Sequence, residues 1–394
     1  MRMKKLMIFA VAAIALVACS KEFDTNKSAS NGTAIGFNTW AEQLTKAARV
    51  PGTSTFTAAG YQDNDFAVYG YKDKTTPAKA TVFDDVVVST TDGSAWTYTT
   101  PRFWDNNYDS YTFYAISPAA IGTAADGDES SSDVNPQTGA FVTRAITFAG
   151  NDNDILVADK KTVNKTDGGG NFNSFATVPL VFNHVASLVD FKVKKAASLH
   201  DATVTISAFE LSDIDNVGQL TVSDAYTDSH PVATWSGTAR TTYGPEAGVV
   251  KVKVDNSGNY EANGTNSIDA DHPIIIAEDT AFPGTPAAST MVINNLIVKP
   301  QTFRASDGSN PQKITLTYKI AVTGSADVEY ANCVLYLCDF DNVDDEDQGG
   351  DAPIASWEPG KHYTFFITID AHKISFSASI TPWADVNGYN YLLN

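Results

Sequence analysis

The residues that could perform catalysis or bind a metal are few, and their spacing supports neither role. Two imidazoles reach one metal ion most readily from a fixed spacing such as His-x-His or His-x-x-x-His. No two histidines have either spacing; they stand at positions 184, 200, 230, 272, 362 and 372. The chain also lacks a Gly-x-Ser-x-Gly elbow, a phosphate-binding loop and a dinucleotide fingerprint. We therefore predict no enzyme, no cofactor and no tightly bound transition metal, and we expect His184 to cap or turn between two strands.

The best candidate for a metal site is the acidic segment DFDNVDDEDQGGD at residues 339–351. Calcium takes about six to eight oxygen ligands, which carboxylates can supply. The spacing of the segment lacks the glycine and the terminal glutamate at the positions where a helical calcium loop has them. A solvated loop is therefore the preferred interpretation, and calcium binding is the alternative. Asp152 and Asp154 present the same choice with fewer ligands.

Two of the three cysteines lie in one strand-like run, ANCVLYLCDF, at positions 333 and 338. An odd separation places them on opposite faces of a strand. At about 3.3 Å per residue they would lie roughly 16 Å apart, whereas a disulfide needs Cα atoms within about 7 Å. A disulfide would require a bend, so we expect two buried or half-buried thiols.

The third cysteine, Cys19, ends the most informative stretch of the chain. Basic residues near the start precede an apolar run at residues 6–18, which is 13 residues long. A spanning helix needs about 20, so the segment is typical of a secretion signal. Its end, Leu16-Val17-Ala18-Cys19, resembles the lipobox of bacterial lipoproteins. The resemblance implies that residues 1–18 are removed and that Cys19 is diacylated; an ordinary signal peptide with an incidental cysteine is the alternative.

The composition is that of an acidic globular chain. The 394 residues carry a net charge of −19, and 43% of them are hydrophobic, which is enough for sizeable cores. A negative chain repels phosphate backbones, so no nucleic acid partner is expected. Residues 19–32 are polar and rich in Ser and Asn, which is typical of a flexible tether.

Short apolar and aromatic segments dominate the chain from residue 33 onward. Segments such as TVFDDVVVST, DSYTFYAIS and KITLTYKIAV are rich in β-branched and aromatic residues, and turn sequences such as Asp167-Gly168 separate them. Many short strands with this punctuation indicate sandwiches or barrels. Two successive sets of strands predict an all-β protein with β-sandwich domains at residues 33–190 and 191–394. A run at residues 40–49 is the exception, because its pattern is helical.

The aromatic residues between positions 96 and 114 admit two interpretations. Trp96 and Tyr98 alternate, Trp104 follows, and alternating aromatic residues are typical of a strand face that packs into a core. The alternative is an exposed aromatic platform that binds carbohydrate. We expect a core, whereas solvent-facing tryptophan or tyrosine would favour the carbohydrate interpretation.

A series of motifs runs in a distinctive order through nearly the whole chain. In sequence they are NDFAVYGY, WTYTTPRFW, DSYTFYAISP, DILVAD, VPLVFNHVASLVDFKV, EPGKHYTFFITID and KISFSASITPWAD. Their order resembles that of the fimbrillin family, the type V pilins and related Mfa-like surface lipoproteins of Gram-negative anaerobes. The resemblance implies two transthyretin-like β-sandwiches in tandem, which agrees with the strand pattern, and a lipoprotein route of export, which agrees with Cys19.

The resemblance also implies a route of assembly. In polymerising members of the family, a surface protease cuts after an arginine and releases the lipid together with the first strand. The vacated groove then accepts a strand from another subunit, as in strand addition generally. In this sequence the cut would fall between Arg49 and Val50. The released strand would lie near residues 33–40, with Ile35 and Phe37 buried on one face.

The C-terminus departs from the stalk subunits of that family, which carry a donor extension after their last core strand. Here only the short segment ADVNGYNYLLN follows Trp383, which argues against a role as a stalk subunit. We therefore predict a tip or accessory pilus subunit, or an unassembled adhesion lipoprotein, at the outer membrane, on the cell surface or in a fimbria. The expected partners are other pilus subunits, a host or bacterial surface receptor, and the membrane through the lipid on Cys19. The alternative is a lipid-anchored carbohydrate-binding surface protein.

Overall fold

The structure, a computed structural model, is built mainly from β-strands over the residues that it describes. These residues are 32–39, 65–74, 79–90, 96–122, 134–148, 154–175, 177–199, 201–227, 230–243, 253–254, 260–261, 274–276, 290–342, 353–370 and 374–382. The predicted all-β class is confirmed. The helical run predicted at residues 40–49 lies outside the described residues.

The described residues supply strands throughout the chain and a short helix, α1 (Ala119–Gly122), after the fourth strand. In chain order the strands are β1 (Phe37–Thr39), β2 (Asp65–Asp73), β3 (Ala80–Ser89), β4 (Ser110–Ser117), β5 (Phe141–Val142), β6 (Ile146–Thr147), β7 (Leu156–Ala158), β8 (Lys161–Asn164), β9 (Val178–Leu180), β10 (Phe182–His184), β11 (Ser187–Lys195), β12 (Ala202–Thr227), β13 (His230–Tyr243), β14 (Lys253–Val254), β15 (Tyr260–Glu261), β16 (Ile274–Ile276), β17 (Thr290–Val298), β18 (Gln301–Thr302), β19 (Lys313–Val322), β20 (Val328–Tyr336), β21 (Asp341–Asn342), β22 (Ser356–Trp357), β23 (Lys361–Ile369) and β24 (Ile374–Pro382).

The first sheet has the strand order β10-β7-β4-β2-β3, and β8 also pairs with β4. Its central strands, β2 and β4, are buried on both faces, so their sequences are nearly continuous in apolar residues. Because successive side chains point to opposite faces, Phe66 and Val68 enter one core while Ala67 and Tyr69 enter another. We call the first of these the aromatic core. Its buried members are Ile35, Phe37, Phe66, Val68, Phe83, Val88, Trp104, Tyr111, Phe113, Ala115, Ala158, Val163, Phe172, Val178 and Leu180.

The later strands form two further sheets that pack face to face. One has the order β17-β11-β23-β24-β21, and the other has the order β13-β12-β19-β20. In β19 and β23 buried residues alternate regularly with more exposed ones, as expected for strands with one face in a core. Phe191, Phe365 and Leu316 belong to the core between these sheets.

The long strand β12 pairs with a later strand of the chain in its first half and with earlier strands in its second half. It is 26 residues long; residues 202–212 pair with β19, while β5 and β6 pair with it between residues 217 and 222. A core beside this second half contains Tyr69 and Tyr114 from the first sheet together with Leu220 and Ile297. The predicted domain boundary at residue 190 falls within β11, and the division into two transthyretin-like domains remains a prediction.

Two local predictions can be compared with the structure. The strand that carries Cys333 ends at Tyr336, and Cys338 lies in the following short turn, so the two residues do not share one strand as predicted. Both are free, half-buried thiols, as expected, and burial raises the pKa of each. The predicted turn near Asp167 is present, because Gly169 adopts a left-handed φ of 69° after a single helical turn.

Candidate assembly site

The segment at residues 33–39 is held along one side by chain that lies far away in sequence. The amide of Ile35 donates to the carbonyl oxygen of Arg102 at 2.8 Å, and the amide of Trp104 donates to the carbonyl oxygen of Thr33 at 3.1 Å. This side of the segment is therefore paired in the antiparallel sense with residues 102–104.

The other side of the same segment pairs with β9 in the parallel sense. Phe37 lies opposite Val178 in the register, and the amide of Val178 donates to the carbonyl oxygen of Gly36 at 2.8 Å. The segment thus lies between two pieces of backbone and hydrogen-bonds to both. A strand in this position satisfies groups that would otherwise form an open sheet edge.

The inward side chains of this segment belong to the aromatic core. Ile35 is 1% exposed and Phe37 is 4% exposed, so the predicted burial of both on one face is confirmed. The Phe37 ring meets three core rings edge to face, with centroid distances of 5.2 Å to Phe83, 5.7 Å to Phe113 and 6.4 Å to Phe66. Edge-to-face contacts are favourable because the positive edge of one ring meets the negative face of another.

A tyrosine fixes the segment at its centre. The Tyr98 hydroxyl donates to the carbonyl oxygen of Ile35 at 2.6 Å and accepts from the amide of Arg102 at 3.2 Å. Burial of the phenol raises the pKa of Tyr98, so its hydroxyl stays protonated and able to donate at neutral pH. At the start of the segment, the amide of Thr33 donates to the side-chain oxygen of Asn173 at 3.2 Å.

We call the space that residues 33–39 occupy the strand groove. It is bounded by residues 102–104 on one side, by β9 on the other and by the aromatic core beneath. Loss of the strand would expose apolar rings and leave the Arg102 carbonyl, the Trp104 amide and the Val178 amide without their present partners. Unpaired backbone groups at a sheet edge are the groups to which an added strand hydrogen-bonds in strand addition generally.

The aromatic residues that could have formed a carbohydrate platform are mostly directed inward. Trp104 is 3% exposed and stacks on Phe172 with a centroid distance of 5.2 Å, while Trp96 packs against the same core. The predicted core role is confirmed for these two tryptophans. Phe103, which alternates with Trp104, is the exception at 56% exposed.

The histidines that the structure describes each contact one aspartate. The contacts are His184 Nδ1 to Asp154 Oδ1 at 2.9 Å, His230 Nδ1 to Asp159 Oδ1 at 2.8 Å, and His362 Nε2 to Asp190 Oδ2 at 2.9 Å. His184 is the last residue of β10 and precedes the link to β11, as predicted. Among the described residues no group of three His, Cys, Asp or Glu side chains is placed to bind a metal ion.

Several predicted site residues lie outside the described part of the chain. These are Leu16, Val17, Ala18 and Cys19 of the proposed lipobox, Arg49 and Val50 of the proposed cleavage site, and most of the acidic segment at residues 339–351. Within the part that is described, no helix is long and apolar enough to cross a membrane. Lipidation and cleavage therefore remain predictions.

Tyr98 and β9 form part of the site but could not be assigned to it from the sequence. The alternation of Trp96 and Tyr98 indicates that the Tyr98 ring is buried, but it carries no signal for the hydrogen bond to Ile35. The sequence VPLVF indicates a strand at β9 but not its neighbour, because a period of two specifies a face and not a partner.

The fold and the groove together define an all-β protein whose first described strand fills a groove in its own structure. The model of the fimbrillin-like family matches residues 48–383, and the chain therefore belongs to that family. This match confirms the family resemblance seen in the order of the motifs. The strand β1 lies just before the matched residues.

Two solved structures illustrate the structural similarity. A fimbrial protein from Bacteroides vulgatus has a TM-score of 0.52 and 16% identity, with 89% of this chain and 99% of that chain covered. A fimbrilin from Porphyromonas gingivalis has a TM-score of 0.39 and 12% identity, with 90% of this chain and 98% of that chain covered. The first of these similarities supports the same overall fold. No curated protein sequence matches the chain significantly.

Proposed function

We propose that this protein is a non-catalytic cell-surface pilus subunit or fimbrillin-like adhesin that reaches the outer membrane as a lipoprotein with its lipid on Cys19. In this proposal it acts as a tip or accessory subunit and joins other pilus subunits by strand exchange. Proteolysis between Arg49 and Val50 then releases β1 together with the lipid on Cys19, and a strand from another subunit takes the place of β1. Membership of the fimbrillin-like family and the similarity to a fimbrial protein support the general role.

The observation that carries the assembly mechanism is the position of residues 33–39. The segment hydrogen-bonds on both sides, to residues 102–104 and to β9, and it buries Ile35 and Phe37 in the aromatic core. Arg49 follows β1 by ten residues in the sequence. A cut after Arg49 would therefore separate the strand from the rest of the chain without removing any other described strand.

A cleavage variant tests the proposal. The wild-type chain, Arg49→Ala and the matched control Lys46→Ala are expressed in a Gram-negative anaerobe that exports and assembles fimbrillins. We expect the surface form of the wild type and of Lys46→Ala to begin at Val50, as measured by mass spectrometry of the N-terminus. Arg49→Ala should retain the earlier residues and should be absent from high-molecular-weight assemblies.

Two results would argue against the mechanism. Assembly of Arg49→Ala at the wild-type level would exclude strand exchange that depends on this cut. A surface form that begins at Cys19 and remains monomeric in all three proteins would favour an unassembled lipoprotein over a pilus subunit. Since Trp96 and Trp104 pack against the core, no observation on these residues favours the carbohydrate-binding alternative.

A further inference from the structure

We propose that the strand groove selects an incoming strand that carries phenylalanine at the position of Phe37. The same strand carries a large aliphatic side chain two residues earlier. The proposal rests on the strand exchange proposed above and specifies its partner. The partner is an extended segment of the form aliphatic-x-Phe that runs in the same direction as β1. The groove would reject strands that are merely apolar.

The selectivity follows from the rings around Phe37. Phe83 and Phe113 contact it edge to face, with interplanar angles of 77° and 83°, and Tyr98 contacts it at 57° with a centroid distance of 6.0 Å. Phe83 also contacts the other two rings, at centroid distances of 5.8 Å to Tyr98 and 5.8 Å to Phe113. The rings of Phe83, Phe113 and Tyr98 therefore form a pocket, and the flat ring of Phe37 fills it.

Other side chains fit this pocket less well for distinct reasons. Leucine would lose the edge-to-face contacts and leave space between the rings, because its branched shape cannot fill a slot made for a flat ring. Tyrosine would place its hydroxyl among apolar rings, since the present side chain is only 4% exposed. Alanine would leave most of the pocket empty.

The backbone contacts set the direction and register of the incoming strand. A carbonyl oxygen must meet the Tyr98 hydroxyl, as that of Ile35 does now, and the next carbonyl must meet the amide of Val178, as that of Gly36 does. These two contacts lie on either side of the strand and fix its polarity relative to β9, which is parallel. The residue that follows the second of these two carbonyl groups then enters the Phe37 pocket.

Peptide exchange tests the selectivity directly. The full chain is given a specific protease site at Arg49-Val50, is cut, and is then mixed with fluorescent peptides that span residues 32–40. The peptides carry Phe37, Phe37→Leu, Phe37→Tyr or Phe37→Ala, and the control peptide carries Ala34→Ser at an exposed position. Binding is measured by fluorescence anisotropy and native mass spectrometry.

We expect the wild-type and Ala34→Ser peptides to bind equally. The Leu and Tyr peptides should bind about tenfold more weakly, and the Ala peptide about a hundredfold more weakly. Equal binding of all five peptides would overturn the selectivity while leaving strand exchange intact. Binding of none of them by cut protein that stays folded would overturn both proposals.

A measurement on the uncut chain covers the case in which cutting unfolds the protein. In the intact chain, Phe37→Leu and Phe37→Tyr should each speed amide hydrogen exchange of residues 33–39 by about tenfold relative to Ala34→Ser, because the strand leaves a poorly filled groove more often. Exchange rates equal to those of Ala34→Ser would contradict the proposed role of the ring pocket.

Discussion

The hydroxyl of Tyr98 lies 2.6 Å from the carbonyl oxygen of Ile35 and donates a hydrogen bond to it. The hydroxyl oxygen of Tyr98 also accepts a hydrogen bond from the amide of Arg102, so one phenol joins the first described strand to the segment beside it. Its ring meanwhile packs against Phe83 and Phe37 at centroid distances of 5.8 Å and 6.0 Å. Tyr98 therefore contributes to the groove through both its polar and its apolar parts.

Replacement of Tyr98 by Phe should loosen β1 without emptying the core. The change removes two hydrogen bonds but keeps the ring, so we expect a loss of about 1–2 kcal/mol in the free energy of unfolding. Amide hydrogen exchange of residues 33–39 should accelerate. Urea denaturation and hydrogen-exchange mass spectrometry measure the two effects. The control Tyr108→Phe, whose ring contacts Lys72, should change neither by a comparable amount.

A second prediction compares two phenylalanines of opposite exposure. Phe113 is fully buried in the aromatic core, whereas Phe103 is 56% exposed beside the strand groove. Phe113→Ala should lower the free energy of unfolding by about 3–5 kcal/mol, because it removes a large buried ring and leaves a cavity. Phe103→Ala should lower the free energy of unfolding by less than about 1 kcal/mol. Similar costs for the two variants in thermal or urea denaturation would contradict the described packing.

The burial of Ile35 and Phe37 could be predicted from the sequence, but the segments of the chain that lie beside them could not. Alternation in TAIGF correctly predicts that Ile35 and Phe37 face a core, because the side-chain period of a strand is two. The parallel pairing of β1 with β9 joins residues that lie far apart in the chain. Local propensity carries no information about such a pairing, because strand identity does not specify register or partner.

The candidate site was predictable to the same extent. The family resemblance implied that the strand near residues 33–40 is the one that processing would release, and the structure pairs this segment with β9 on one side and with residues 102–104 on the other. The residues that hold it, Tyr98 and Asn173, act through a hydroxyl and an amide that no motif distinguishes from other polar side chains. The cleavage site at Arg49-Val50 and the lipid site at Cys19 remain predictions from the sequence.

A third prediction concerns a polar network in the later part of the fold. The Arg304 guanidinium contacts both carboxylate oxygens of Asp215 at 3.2 Å, and the Gln301 side chain bonds to the Asp215 backbone at 3.0 Å and 3.2 Å. Arg304→Met should destabilise the protein by about 3 kcal/mol, because it removes a charged two-oxygen contact from a largely buried carboxylate.

An exposed ion pair provides the control for this network. Lys319 lies 3.1 Å from Asp327, but both side chains are about half exposed to solvent. Lys319→Met should cost less than about 1 kcal/mol, because water screens the pair. If urea denaturation gave equal losses for Lys319→Met and Arg304→Met, the distinction between the buried and exposed pairs would be wrong.

A fourth prediction concerns alkaline pH. Burial raises the pKa of Tyr363 to about 12, and its hydroxyl oxygen accepts from the amide of Glu358 at 2.9 Å. In the unfolded chain a tyrosine titrates near pH 10. Between these values the unfolded state loses its proton first, so the free energy of unfolding falls as pH rises from about 10 to 12. The stabilising contribution of Tyr363 to the free energy of unfolding is fully present below about pH 10.

The variant Tyr363→Phe separates this effect from other alkaline titrations. The variant should be less stable than the wild type at pH 8, because the Glu358 amide loses its acceptor. Its free energy of unfolding should then fall less steeply above pH 10, because one titrating phenol is absent. Parallel pH profiles for the two proteins, measured by urea denaturation, would show that Tyr363 titrates alike in both states.

The last prediction concerns the anchor. If Leu16-Val17-Ala18-Cys19 is a lipobox, Cys19→Ala in the uncleaved Arg49→Ala variant should abolish acylation and move the protein from the membrane fraction to the soluble or secreted fraction. Two or more acyl chains bind a membrane far more firmly than one, so the shift should be nearly complete rather than partial. The matched control is Cys333→Ala, which removes a half-buried thiol from β20 and should leave the membrane fraction unchanged. Fractionation followed by mass spectrometry of the N-terminal peptide measures both location and lipid. Membrane retention of the double variant at the level of Arg49→Ala alone would mean that another feature holds the protein at the membrane.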